Sequence, residues 1–159
     1  TSTQIKKDLH VEAFLRVLAM SDIYYGKFKS SKQGIKNILD EYGEQKKSES
    51  ISEEVIRKLF SSLDQLLEFF EAKKIFRRVN ANRDIEGILN FGILESLLGV
   101  MVFGGYKLPD NFNEKYINHM GQLFDGYLLD ESHNPFSTST GSVSSIKKRF
   151  EIFEGILEK

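Results

Sequence analysis

Two groups of side chains in this sequence could do chemistry, and the first is a carboxylate inside an apolar stretch. Glu95 lies in DIEGILNFGILESLLGVMVFGGY, residues 84–106, where Glu86 is the only other charge after Asp84. A carboxylate buried in such a run needs a raised pKa or a cationic partner. Three arginines are candidate partners: Arg16, Arg83 and Arg149. We interpret Glu95 as a structural ion pair or a solvent-exposed edge rather than as a catalyst, because perturbed groups mark catalytic sites only statistically.

The second group is a basic cluster with aromatic residues beside it. It consists of Lys73, Lys74, Arg77, Arg78 and Arg83. Interleaved Phe69, Phe70 and Phe76 would suit a surface that holds phosphates while rings stack on bases. The alternative is that the cations stabilise a helix C-terminus and the rings face the core. We favour the alternative, because 22 basic and 23 acidic residues balance and give no net positive field for nucleic acid.

No recognised catalytic or metal motif is present in the sequence. His10, His119 and His133 belong to no known ligand motif, and HExxH is absent. The absence of cysteine excludes thiolate metal sites and a thiol nucleophile. A phosphate-binding GxxxxGK[ST] loop and a Gly-x-Ser-x-Gly elbow are also missing. We therefore predict no catalytic residues, no metal and no cofactor, and a protein that is not an enzyme.

The apolar run around Glu95 predicts the element on which the fold is built. A helix that is apolar on nearly all sides must be covered by others, so we expect a central helix at about residues 85–103. Asp84 is its expected N-cap, and Gly104 with Gly105 should end it. Its small residues, which share one row and would allow a close neighbour, are Gly92, Ser96 and Gly99. Because charged residues and glycines interrupt the run, we expect no transmembrane span.

Five further segments have the apolar spacing of helices. They run from about Gln4 to Met20, Lys32 to Tyr42, Glu53 to Val79, Phe112 to Leu129 and Val143 to Leu157. Ser30 or Ser31 should cap the second helix and Gly43 should end it, while the third should bend near residues 71–74. The expected fold is all-α, a single compact bundle of about six helices in one domain over residues 1–159.

Three features of these segments bear on where surfaces lie. The third helix has a wide apolar stripe: Val55, Ile56, Leu59, Phe60, Leu63, Leu66, Leu67, Phe69 and Phe70. The last helix has a narrower stripe, so we expect it to pack peripherally or in a shared interface. Residues 43–50 and 130–142 lack apolar periodicity, and we predict a polar linker and an exposed loop.

Two motifs around the central helix resemble a known family. The run Leu97-Leu98-Gly99-Val100-Met101-Val102-Phe103-Gly104-Gly105 is similar to the central-helix signature of the B-cell-lymphoma-two family of apoptosis regulators, in which apolar residues lead into Phe-Gly-Gly. Upstream, Asn90-Phe91-Gly92 is similar to that family's Asn-Trp-Gly, but it stands three residues farther from Phe-Gly-Gly, and Ile93 replaces the arginine that follows. The resemblance implies a groove near the third and central helices that accepts an amphipathic helix from a partner.

Without a catalytic set, we predict a non-enzymatic protein-interaction, adaptor or regulatory domain that binds a partner helix or associates with itself. The predicted surface is a groove beside the third helix, around Leu59 and Leu63, or the stripe of the last helix. The alternatives are nucleic-acid binding by the basic cluster, residues 73–83, and an enzyme whose site residues are too scattered along the chain to be recognised. A chain without cysteine suits a reducing, cytoplasmic compartment. It begins TSTQIKKDL, without a signal-peptide core or an initiating methionine, so we expect a processed chain.

Overall fold

The computed structural model describes residues 2–126, 134–137 and 141–159. Within them the chain forms six helices and one short hairpin. The helices are α1 (Ser2–Tyr24), α2 (Ile35–Gln45), α3 (Glu53–Phe69), α4 (Phe91–Val102), α5 (Phe112–Gly126) and α6 (Val143–Ile156), and the hairpin pairs β1 (Arg78–Val79) with antiparallel β2 (Ile85–Glu86). The all-α prediction is confirmed, because the only sheet in these ranges has two residues in each strand.

The predicted central helix is α4. All its residues from Gly92 to Val102 are buried, and α1, α3 and α6 pack against it. Its small residues do allow close neighbours, because a Cβ atom on Gly99 would lie 2.5 Å from the Phe150 ring of α6 and 2.5 Å from Oγ of Ser21 of α1. Among the described residues, no helix has both the length and the apolar character that crossing a membrane requires.

The predicted start of the central helix, with Asp84 as its cap, is wrong. The helix begins six residues later, where the side chain of Asn90 accepts a hydrogen bond from the backbone N–H of Ile93 at 3.0 Å. Residues 85–86 form a strand instead. The cause is the turn before them, in which Oδ1 of Asn80 accepts hydrogen bonds from the N–H groups of Asn82 and Asp84 at 2.9 and 3.0 Å.

The third helix is also shorter than predicted. It ends at Phe69 and does not bend and continue to Val79, because Phe70 turns to extended backbone and its side chain packs into the core. The ring of Phe70 lies edge-on to Phe112 and Tyr116 of α5, with centroids 5.8 and 5.3 Å away. Aromatic packing against α5 thus replaces a further turn of helix.

The other helix ends differ by a few residues from the predictions. α1 continues to Tyr24, and α2 begins after Gly34, whose φ of +84° stops it from extending back to the predicted caps. Gly43 lies inside α2, which runs to Gln45. α5 begins at the predicted residue, but its predicted end at Leu129 lies outside the described residues. Within α6, the stripe residues Ile146, Phe150 and Phe153 are fully buried, so the expectation that this helix packs peripherally is wrong.

Three described residues of the predicted exposed loop are buried instead. Asn134, Pro135 and Phe136 have almost no exposed surface, and the backbone carbonyl of Phe136 accepts a hydrogen bond from Nδ2 of Asn90 at 3.0 Å. The Phe136 ring packs edge-on against Phe153, with centroids 6.0 Å apart. This short segment therefore covers the start of α4. Residues 130–133 and 138–140 of the predicted loop lie outside the described residues.

Candidate functional site

A buried carboxylate with two arginine partners lies between three helices. The side chain of Glu95, on α4, has no exposed surface. Its Oε1 accepts a hydrogen bond from Nη2 of Arg149 at 2.6 Å, and its Oε2 accepts one from Nε of Arg16 at 3.0 Å. The predicted structural ion pair is thus confirmed for two of the three candidate arginines. The third, Arg83, lies beside Gly121 of α5.

The neighbourhood of this ion pair explains how the charges are held. Arg16 comes from α1, Glu95 from α4 and Arg149 from α6. Gly92, one turn before Glu95, leaves room for the arginine, since a Cβ atom there would lie 3.0 Å from Cδ of Arg149. Nη1 of Arg149 donates to the carbonyl of Pro135 at 2.9 Å. The ion pair therefore connects three helices and the segment that covers the start of α4.

The electrostatics of the ion pair favour a structural role. Burial lowers the pKa of Arg149, and the charge and hydrogen bond of Glu95 oppose that shift. The Arg16 guanidinium also lies 3.4 Å from Glu12 and 4.6 Å from the centre of the Phe91 ring. Because both oxygens of Glu95 have charged donors and its side chain has no exposed surface, a substrate cannot approach the carboxylate in this conformation.

The predicted interaction surface on the third helix has a different composition from the one expected. Leu59 is buried against the core, and Leu63 is half-buried at its edge. Phe60 and Leu67, which belong to the predicted apolar stripe, are 60% and 47% exposed. Four residues, spaced four, three and four apart, form one row along the helix. They are half-buried Ile56, exposed Phe60, half-buried Leu63 and exposed Leu67, and we call this row the α3 flank.

The sequence contained one signal of this exposed row that its interpretation missed. The apolar residues of α3 cover about half of its circumference at 100° per residue, whereas a surface helix needs a stripe of only about 100° to face a core. The apolar residues beyond such a stripe must therefore lie outside the core or contact another molecule. Which of these residues are exposed depends on how the neighbouring helices pack against α3, and the sequence alone does not determine this.

Acidic side chains border the α3 flank. Asp64 follows Phe60 by one turn, and Glu68 follows Asp64 by one turn, and both are exposed. Neither has an ion-pair partner within the described part of the chain, whereas Glu53, near the start of the helix, lies 3.9 Å from Arg57. The flank is thus an apolar row with an uncompensated acidic edge.

The opposite side of α3 borders a groove of about 580 Å³. Lys58, Ser61 and Gln65 of α3 line one wall, and residues around the end of α4, including Tyr106 and Lys107, line the other. The residues that α3 contributes to the groove are polar, whereas those of the α3 flank are apolar.

The five members of the basic cluster lie along the turns and the hairpin that follow α3. Exposed Lys73 pairs with Glu71 at 3.3 Å, and exposed Lys74 lies in the same turn. Half-buried Arg77 donates a hydrogen bond to the carbonyl of Gly87, and Arg78 faces Glu86 across the hairpin. Arg83 occupies the hairpin turn, where its Nη1 donates to the carbonyl of Ala81 at 3.3 Å.

The aromatic residues beside the basic cluster face inward. Phe70 and Phe76 are buried, and the Phe69 ring lies edge-on to Phe112 with centroids 5.6 Å apart. This is the arrangement that the core-facing interpretation predicts. The rings of Phe70 and Phe76 are therefore not presented to bases.

The histidines and acidic residues do not assemble a metal site in the described ranges, where no three potential ligands of this kind come together. His10 is exposed on α1, and His119 is exposed on α5 with Nδ1 3.1 Å from the carbonyl of Lys115. His133 lies outside the described residues.

Comparisons with protein-family models, with curated proteins and with solved structures find no match to this chain. The resemblance to the B-cell-lymphoma-two family therefore rests on the quoted residues. Of these, Asn90 caps the central helix, and Gly92 leaves room for the side chain of Arg149.

Proposed function

We propose that this protein is a protein-interaction domain that binds an amphipathic helix of another protein along the α3 flank. The observation that carries this proposal is the exposure of Phe60 and Leu67, 60% and 47%, in one row with Ile56 and Leu63. Burying a large apolar side chain fully contributes about 1.5–3 kcal/mol. Because Phe60 and Leu67 are about half exposed, covering both would contribute about 1.5–3 kcal/mol in total toward the roughly 8 kcal/mol of a micromolar affinity.

The shape of the flank supports a helical partner. From Ile56 to Leu67 the row extends about 16 Å at 1.5 Å per residue, which three turns of a second helix would cover. Helical ligands present apolar anchors three, four and seven residues apart, and the α3 flank has the same spacing. Apolar side chains from the two helices could therefore interdigitate along the row.

The charge beside the flank favours a different protein over a second copy of this chain. In a symmetric dimer the same patch meets itself, so Asp64 and Glu68 of both copies would border one interface. Like charges across an interface oppose association. A partner with another charge pattern would avoid this repulsion.

The test compares proteins retained from cells of the native source by three purified forms of the chain. The first is unchanged, the second carries Phe60→Asp and Leu67→Asp, and the third carries Ser61→Asp and Gln65→Asp on the other side of α3. The third form adds the same charge to the same helix and is the matched control. We expect a protein that the first and third forms retain and the second form loses, while all three give the same helical circular dichroism.

Three results would contradict the proposal. The second form could retain the same proteins as the first, which would separate binding from the flank. Mass measurement in solution could show a dimer that the second form breaks, which would identify self-association. Recovery of nucleic acid alone would favour the basic cluster instead.

A further inference from the structure

We infer that the partner helix carries lysine or arginine beside its apolar row, on the side that meets Asp64 and Glu68. This inference rests on the proposed function and names the chemistry of the partner. Both carboxylates are exposed, border the α3 flank and lack an ion-pair partner among the described residues. Cations on the partner would complete the pairs that the chain itself leaves open.

The acidic residues in the first half of α3 form ion pairs within the helix, whereas those in its second half do not. In the first half, Glu53 and Glu54 lie one turn before Arg57 and Lys58, at 3.9 and 3.2 Å, so these acidic residues are compensated within the helix. No basic residue follows Asp64 within α3. The uncompensated charge is therefore concentrated beside Phe60 and Leu67, the exposed residues of the flank.

The position of Glu68 also favours a cation on the partner helix. Glu68 lies in the last turn of α3, where the helix dipole is negative and cations are favoured. It also stands one turn after Asp64, a spacing at which like charges repel. Two unfavourable interactions thus meet at the edge of the flank in the free chain, and one cation from a partner would relieve both.

The experiment uses a displayed library of helical peptides of 17 residues, the length of α3. All members share the same apolar row, and the positions beside that row are lysine or glutamate at random. The library is selected against the unchanged chain, against Phe60→Asp with Leu67→Asp, and against Asp64→Lys with Glu68→Lys. A fourth form, Asp40→Lys with Glu151→Lys, makes the same two charge changes at exposed residues of α2 and α6 and is the control.

We expect the unchanged chain and the control to enrich lysine-bordered peptides. The charge-reversed form should enrich glutamate-bordered peptides, and the form without Phe60 and Leu67 should enrich neither. The best lysine-bordered peptide should bind the charge-reversed form about tenfold more weakly, since two exposed ion pairs are replaced by repulsion. Its affinity for the unchanged chain should fall as salt is raised.

The failures of the two proposals are distinguishable. Peptides that require Phe60 and Leu67 but show no preference between lysine and glutamate would overturn the inference about charge and keep the proposed binding surface. Peptides that bind equally well after the change of Phe60 and Leu67, or a library without any binder, would overturn the surface itself.

Discussion

Nη2 of Arg149 lies 2.6 Å from Oε1 of Glu95, and both side chains are fully buried. Separating two such charges from water costs several kcal/mol for each ion, which is offset only when the geometry and the remaining hydrogen bonds are good. Here the second carboxylate oxygen accepts from Arg16 and the second guanidinium nitrogen donates to Pro135. The pair therefore holds α1, α4 and α6 together at a position where losing one partner leaves a buried charge.

We predict that Glu95→Gln lowers the free energy of unfolding by about 3–5 kcal/mol, because it leaves Arg149 buried beside a neutral group. Urea denaturation followed by circular dichroism measures the change. The matched variant is Glu95→Met combined with Arg149→Met, which removes both charges and keeps most of the volume. This double variant should be less destabilised than Glu95→Gln, and a loss below about 1 kcal/mol in the single variant would show that the pair is not an important contact.

A second prediction concerns the close packing of α4. A Cβ atom on Gly99 would lie 2.5 Å from both Phe150 and Ser21, so Gly99→Ala must push apart α1, α4 and α6. Overpacking of this kind costs about 1–3 kcal/mol, more than alanine gains from its helix propensity, about 1 kcal/mol. We expect a net loss of stability in thermal unfolding.

The control for Gly99→Ala is Gly43→Ala in α2. Gly43 is also inside a helix, but no atom lies within 4 Å of the position that its Cβ would take. The same substitution should therefore stabilise the protein by up to about 1 kcal/mol. Equal gains in stability for the two variants would contradict the prediction, because they would mean that the neighbours of Gly99 accommodate a methyl group without cost.

Several features of the fold were predictable because they depend on composition and spacing along the chain. The apolar run around Glu95 contains too few polar residues to face water, which predicts a covered helix, and α4 is that helix. A carboxylate in such a place needs a cation, and two of the three proposed arginines supply one. Gly92 and Gly99, four residues before and three residues after Ser96, predict close neighbours, and both glycines have one.

Other features depend on contacts between distant residues and could not be predicted. Asp84 and Asn90 are both good N-caps, so propensity does not choose between them. The choice is made by the turn that the Asn80 side chain stabilises and by Phe136, whose carbonyl accepts a hydrogen bond from Asn90. Phe136 itself lies in a segment without periodicity, and its burial is visible only in three dimensions.

The candidate site was predictable only in its location. The periodicity of α3 identifies its apolar residues but does not say how far the neighbouring helices reach around it. Leu59 is covered by them, whereas Phe60, one residue later, is not. The acidic edge was readable as residue types at Asp64 and Glu68, but their lack of partners is a property of the folded chain.

The two possible caps of the central helix give a third prediction. Asn90→Ala removes an acceptor for the N–H of Ile93 and a donor to the carbonyl of Phe136, both at 3.0 Å. Loss of an N-cap alone costs about 0.5–2 kcal/mol, and we expect the upper part of that range. Asp84→Ala should cost much less in the same denaturation experiment, because Asp84 is exposed and caps no helix. Equal losses would contradict the observed start of α4.

The last prediction concerns how the stability of the protein depends on pH through the hydrogen bonds between Glu41 of α2 and the turn before that helix. The hydroxyl of Ser30, 2.8 Å from Oε2 of Glu41, and the N–H and hydroxyl of Ser31 lower the pKa of Glu41 below its ordinary 4.5. The folded chain thus prefers the charged carboxylate. Its contribution to stability is fully present above the ordinary pKa and is lost as pH falls from there through the lowered value.

Thermal unfolding of the unchanged chain and of Glu41→Gln, between about pH 7 and pH 3, measures this contribution. The unchanged chain should unfold at the higher temperature near neutrality, and the difference should narrow as the carboxylate becomes protonated. Asp40→Asn is the control, because Asp40 is the exposed neighbour of Glu41 and forms no hydrogen bond or ion pair within the described residues. A difference for Glu41→Gln that stays constant across this range would mean that the hydrogen bonds to Ser30 and Ser31 do not favour the charged form, and that this turn is held by its backbone alone.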